Sequence, residues 1–137
     1  MSVICYKFSQ KTVATFITQN IWGNELISPE STGGQLSCCR LIIPPGIAFP
    51  LHTHMEAHLL ICMEGKGFID CFESEEPKRF NLVEGDILFL PGGVLHSSGS
   101  DEGVKFLVID VPGVSLEDPN RMQIHGSRQL NANADFP

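Results

Sequence analysis

Apolar residues in this chain come in clusters of four to eight, broken at short intervals by glycine, proline or asparagine. That rhythm leaves little room for amphipathic helices. No segment keeps an i, i+3, i+4, i+7 stripe over three turns, and only a weak one runs through Asp118–Ile124. The clusters predict strands at Val3–Phe8, Thr12–Ile17, Gln35–Ile43, Glu56–Met63, Gly67–Phe72, Arg79–Val83, Asp86–Leu90, Leu95–Ser98 and Gly103–Val111. Turn signals separate them: Pro44-Pro45-Gly46, Glu64-Gly65-Lys66-Gly67, Glu84-Gly85 and Pro91-Gly92-Gly93. Many short strands with regular punctuation predict an all-β sandwich or barrel.

At 137 residues there is material for one core, expected over residues 1–111. The polar, weakly patterned stretch 112–137 reads as a C-terminal arm, partly irregular, with one helical turn. A hydrophobic share of 42% with 18% charged residues excludes wholesale disorder. Nine basic against 16 acidic residues give a net charge of −7. No basic stripe is left to neutralise phosphates, so a nucleic-acid partner is not expected. The acids are scattered; Glu73, Glu75 and Glu76 read as a solvated turn. The N-terminus lacks a basic start followed by an apolar run, and no apolar stretch approaches a membrane span. Five cysteines, odd in number and irregular in spacing, then predict reduced thiols and a cytoplasmic protein. Cys38 and Cys39 are adjacent, so they point to opposite faces of a strand and do not make a metal site by themselves. The cysteines read as small buried hydrophobes.

The segment Glu56–Phe72 reads as a hairpin turning near Gly65-Lys66. His58, Leu60 and Cys62 share one face; Leu59, Ile61 and Met63 share the other, and Phe68 and Phe72 follow on the return strand. Both faces are apolar, so both should be covered. One fills the barrel. The other predicts a homodimer packed sheet on sheet, or a cover made by the N-terminal segment.

Four of the five histidines fall in two short segments. His52 and His54 project from the same face of an extended stretch, and His58 has the same parity at the start of the next strand. His96 can approach from a strand brought alongside. Several convergent neutral imidazoles suit a divalent ion such as Mn, Fe, Zn, Ni or Cu, and one ion per chain is expected. His125 stands in the polar arm and reads as exposed.

With these residues in view the chain resembles the cupin superfamily. Gly46, His52, His54 and Gly65 fall in register with its first motif, G-x5-H-x-H-x3,4-E-x6-G. Gly85, Pro91, Gly93 and His96 fall in register with its second, G-x5-P-x-G-x2-H-x3-N. Together they cover residues 46–100. The resemblance implies a double-stranded β-helix, a jelly-roll barrel, with a metal held inside by the motif histidines, often in a dimer. Two positions depart: His58 stands where the motif has its glutamate ligand, and Ser100 where it has asparagine. The pattern is similar to a minority branch with four-histidine sites, comprising small bacterial proteins that bind manganese or other divalent ions and polyketide-cyclase-like cupins that bind zinc. Glu56 shares strand parity with His58 and stays open as a ligand, although the motif spacing favours His58. Four neutral histidines leave a divalent site at +2, where three histidines and a glutamate leave +1. The more positive site binds anionic oxygen more strongly. Coordination number stays open: a six-coordinate ion has two free positions, whereas tetrahedral zinc would be closed and structural.

The expected pocket wall comprises Phe49, Leu60, Cys62 and Phe89, with Phe106 and Val108 from the last strand, where Asp110 shares their face. Arg40, in an apolar stretch, reads either as a substrate-carboxylate contact or as half of a surface salt bridge. Three functions fit a small-molecule partner at such a site. One is a metal-dependent oxygenase acting on an oxygen-rich or aromatic substrate. The second is a lyase, isomerase or cyclase using the metal as a Lewis acid. The third is a binding module without chemistry. Histidine ligation also predicts that metal affinity falls below about pH 6.

Overall fold

A computed structural model describes residues 2–7, 12, 14–18, 20–74 and 76–126. The strands are β1 (Ala14–Thr18), β2 (Ile21–Ile27), β3 (Ser37–Ile43), β4 (Ile47–Ala48), β5 (Leu51–Thr53), β6 (Ala57–Cys71), β7 (Lys78–Val83), β8 (Ile87–Leu90), β9 (His96–Ser100), β10 (Val104–Val111) and β11 (Gln123–Gly126). Between β2 and β3 lies one 3-10 turn, Glu30–Thr32. The described residues contain no α-helix, and no helix long and apolar enough to cross a membrane. The strands form one curled antiparallel sheet in the order β1-β2-β3-β10-β6-β9-β5-β11, with β4 on β9 and β7 and β8 on β6. This is the all-β architecture expected from the strand pattern.

The strand β6 joins the two layers. Its first half lies between β10 and β8, with His58 opposite Asp110 on one side and Leu90 on the other. Its second half lies between β7 and β9, with Cys71 opposite Lys78 and His96. The expected hairpin at Gly65-Lys66 is therefore not there: the chain bends and continues in the same direction. Gly65 makes the bend possible. Its φ is +81°, and a Cβ at that position would sit 2.2 Å from the Gly103 carbonyl oxygen. The glycine pattern was read as a turn because a strand bend and a tight turn ask for the same φ. Gly65→Ala is expected to cost about 3 kcal/mol, from left-handed backbone strain plus overpacking. That is a fall of about 10 °C in melting temperature. An unchanged melt would contradict this account of the bend.

Inside the barrel, Ile21, Ile43, Cys62, Ile69, Leu90 and Phe106 are almost wholly buried, and Leu116 from the segment after β10 joins them. On β8 the alternation is clean: Leu88 and Leu90 point in, whereas Ile87 and Phe89 are each 63% exposed. On β6, Leu60 and Cys62 are buried while Leu59 and Met63 face outward.

Several expectations are corrected at the ends of the chain. Residues 3–7 form no strand, and Phe8 lies outside the described residues, as do Val13, Glu75 and 127–137. Asp118–Ile124 is not helical; it makes a turn and enters β11. The strand β2 is absent from the strands expected from the sequence. Gly23 is there for packing: a Cβ would meet Ile17 and Leu116 side chains at 2.8 and 2.9 Å. Four cysteines are buried and free, but Cys5 is exposed rather than packed.

Candidate metal centre

The short strand β5 and the residues after it carry His52 and His54, and β9 carries His96 directly across from His52. All three are buried, at 5, 9 and 4% exposure. Their outer nitrogens are all tied to backbone. His52 Nδ1–H donates to Pro50 O at 2.8 Å, His54 Nδ1–H to Glu56 O at 2.9 Å, and His96 Nδ1–H to Val94 O at 2.8 Å. A carbonyl only accepts, so each Nδ1 carries the proton and each Nε2 carries a lone pair. His54 Nε2 and His96 Nε2 then face each other at 3.1 Å, and one ligand atom from each of the three histidines falls within 4.8 Å of the others. Two acceptor lone pairs at that distance repel unless a cation lies between them. Two nitrogens held at about 2.1 Å from one ion at right angles would stand about 3.0 Å apart. The donor set therefore fits a divalent ion.

Burial keeps these imidazoles neutral. It pushes His52 down to about 4, His54 to about 3 and His96 to about 2, with the neighbouring histidines adding to the effect.

His58 sits beside this trio and is not among the three whose ligand atoms converge. Its ring centre is 3.8 Å from that of His54 and 6.1 Å from that of His96. Its Nδ1 is in ion-pair contact with Asp110 Oδ1, and neither atom has a separate hydrogen-bonding partner. Glu56 also lines the cavity, with Oε2 buried and unpartnered. The sequence grouped four histidines; the geometry converges three of them and sets His58 on a carboxylate. His125 is exposed, its Nε2 3.0 Å from Thr53 Oγ1.

The cavity beside the histidines measures about 90 Å³. Phe49, Leu60 and Val108 line it as expected. Cys62 and Phe106 are buried deeper, in the core, and do not reach it. Phe89 is on the outer surface, because parity cannot be counted back from His96 through the Pro91-Gly92-Gly93 turn. Cys39, not Cys62, is the cysteine on the wall, and burial pushes its thiol well above the ordinary range. Arg40 is outside the cavity, with Nη2 donating to Tyr6 Oη at 2.9 Å. The cavity instead receives Arg121, together with Val114, Leu116 and Met122, from the segment after β10. Burial lowers the Arg121 pKa from its usual value. Nothing in the sequence signalled this residue, because it stands in the stretch without pattern.

Residues 36–130 match a family profile described as the AraC-like ligand binding domain. Over 83 residues the chain is 31% identical to acireductone dioxygenase 1 of Vitis vinifera, which covers 58% of this chain and 44% of that protein. The chain thus spans less than half of that curated relative. The oxalate decarboxylase of Bacillus subtilis superposes with a TM-score of 0.72 at 23% identity, over 90% of this chain and 33% of that one. A cupin-like protein of Thermotoga maritima superposes with a TM-score of 0.71 at 20% identity, over 95% of this chain and 96% of that one.

Proposed function

Because the chain belongs to the AraC-like ligand-binding domain family, and so to the cupin superfamily, we propose that it is a metal-dependent enzyme of the oxygenase type. Its substrate is a small oxygen-rich or aromatic molecule, bound at the centre formed by His52, His54 and His96. The observation that carries this reading is the inward-facing set of lone pairs, buried, with every Nδ1–H committed to a backbone carbonyl. A divalent ion held there by His52, His54 and His96 would supply Lewis acidity toward a substrate oxygen. The name of the Vitis vinifera relative supports the oxygenase class, and the Mn(II) centres named for the Bacillus subtilis decarboxylase support manganese as the first ion to try.

The protein's own groups divide the work. The backbone carbonyls of Pro50, Glu56 and Val94 hold the ring orientations. Phe49, Leu60, Val108 and Leu116 give the cavity its apolar wall. We assign His58 as the fourth ligand, with Asp110 accepting from its Nδ1–H and fixing the ring. The carboxylate that the motif places on the ion then stands one residue behind it, and the charge of the site returns to +1.

Oxygen uptake by protein loaded with Mn(II) or Fe(II), screened against diketones and catechols, tests the reading. Uptake with one substrate supports it. No uptake with either ion overturns the oxygenase class, and zinc-supported turnover indifferent to oxygen moves the assignment to Lewis-acid chemistry. The family description favours a second reading, capture of a small molecule without turnover. Tight binding with the ligand recovered unchanged would select it.

The outer face of the barrel supports a homodimer. Leu59 lies opposite Phe89 and Ile61 opposite Ile87 on this face, and Leu59, Ile87 and Phe89 are exposed. Light scattering is expected to give twice the chain mass, and Phe89→Glu to give the monomer. A monomer in the unsubstituted protein would remove the proposal.

A further inference from the structure

Among the described residues, Arg121 is the one lysine or arginine lining the metal cavity. Its position is set by sheet pairing. In β11, Gln123 pairs with Thr53 and Ile124 with His52, so the segment carrying Arg121 is fastened to the strand that carries a histidine of the centre. Among the described residues, the guanidinium makes one hydrogen bond, Nη1–H to Asp118 O at 3.1 Å, and no ion pair. Neither cavity carboxylate neutralises it: Asp110 is held by His58, and Glu56 Oε2 has no partner. The neighbours that the same segment sends into the cavity are apolar: Val114, Leu116 and Met122. A guanidinium at such a rim gives up part of its hydration, and the Asp118 carboxylate nearby offsets part of that loss without forming an ion pair. Its planar fork matches a carboxylate.

We propose that Arg121 is the specificity-determining residue of the cavity, which takes a small molecule carrying a carboxylate remote from the oxygens it presents to the histidine centre. This rests on the metal reading above and narrows it to anionic substrates. It also gives a role to a guanidinium that lines the cavity in a chain of net charge −7.

Two diketones test it, acetylacetone and succinylacetone, which share the chelating group and differ by a carboxylate-ended tail. Binding to Mn(II)-loaded protein is followed by calorimetry. Succinylacetone is expected to bind roughly tenfold or more tightly than acetylacetone, the size of a charge-assisted hydrogen bond. Arg121→Gln should erase that difference by weakening succinylacetone alone. Arg121→Lys should keep part of it. Lys105→Gln, at an exposed cation paired with Glu64, should leave it intact. Equal affinities for the two diketones in the unsubstituted protein overturn the role of Arg121 and leave the metal reading standing. So does a difference that survives Arg121→Gln. Failure of both diketones to bind overturns both.

Discussion

Stripped of metal by a chelator, the protein is expected to unfold cooperatively as the pH falls from 6.5 toward 5. An unfolded histidine titrates near 6.5. In the folded chain burial holds His52 at about 4, His54 at about 3 and His96 at about 2. Between those values the unfolded state takes up protons that the folded state refuses, so stability falls as pH falls. Above pH 6.5 the three residues carry no such penalty. At pH 5 each costs about 2 kcal/mol, and together about 6 kcal/mol, which is comparable with the whole stability of a domain. Circular dichroism and Trp22 fluorescence against pH would show it. A metal-free protein still folded at pH 4 would contradict the burial of the trio. Bound metal should move the midpoint downward, because it holds the imidazoles unprotonated. While the barrel stays folded, burial of the trio is expected to move proton competition at these three residues below pH 6, and loss of metal above that would follow the loss of the fold.

His96→Ala should weaken metal binding by about a hundred- to a thousandfold. A structural divalent site is worth about 10–16 kcal/mol over four ligands, or about 2.5–4 kcal/mol for each. His96 is the natural choice because it faces His54 at 3.1 Å and pairs with His52, so its loss opens the trio on one side. His125→Ala, on the exposed strand β11, should change nothing. Competition against a chelator of known affinity would measure both, with a thermal melt to confirm that His96→Ala folds. Equal affinities for the two variants would remove the centre.

Periodicity and glycine spacing made the barrel legible, and two histidine segments made its centre legible, because each motif position carries a backbone or ligand requirement of its own. Gly46, Gly85 and Gly93 have positive φ, as such turns require. What could not be read was anything that depends on direction after a turn. Phe89 went to the wrong face for that reason, and Gly65 became a hairpin. Cys39 and Cys62 have the same strand chemistry, and only the depth of the cavity separates them. Asp110 was placed on the correct face, but its contact with His58 depends on the register of β10 against β6. Arg121 and Leu116 belong to a stretch whose pattern is set by what it covers rather than by its own period.

The strands β5 and β9 meet at one residue pair, His52 with His96. Backbone hydrogen bonds from Phe49 N–H to Ser98 O and from Gly93 N–H to His54 O flank that pair. His54 and His96 are 42 positions apart, so an ion shared between them would close a loop of the chain as a covalent cross-link does. A cross-link enclosing that length removes about 4 kcal/mol of chain entropy from the unfolded state. Amide exchange along this seam would therefore act as an occupancy gauge, fast when the ion is gone and slow when it is held.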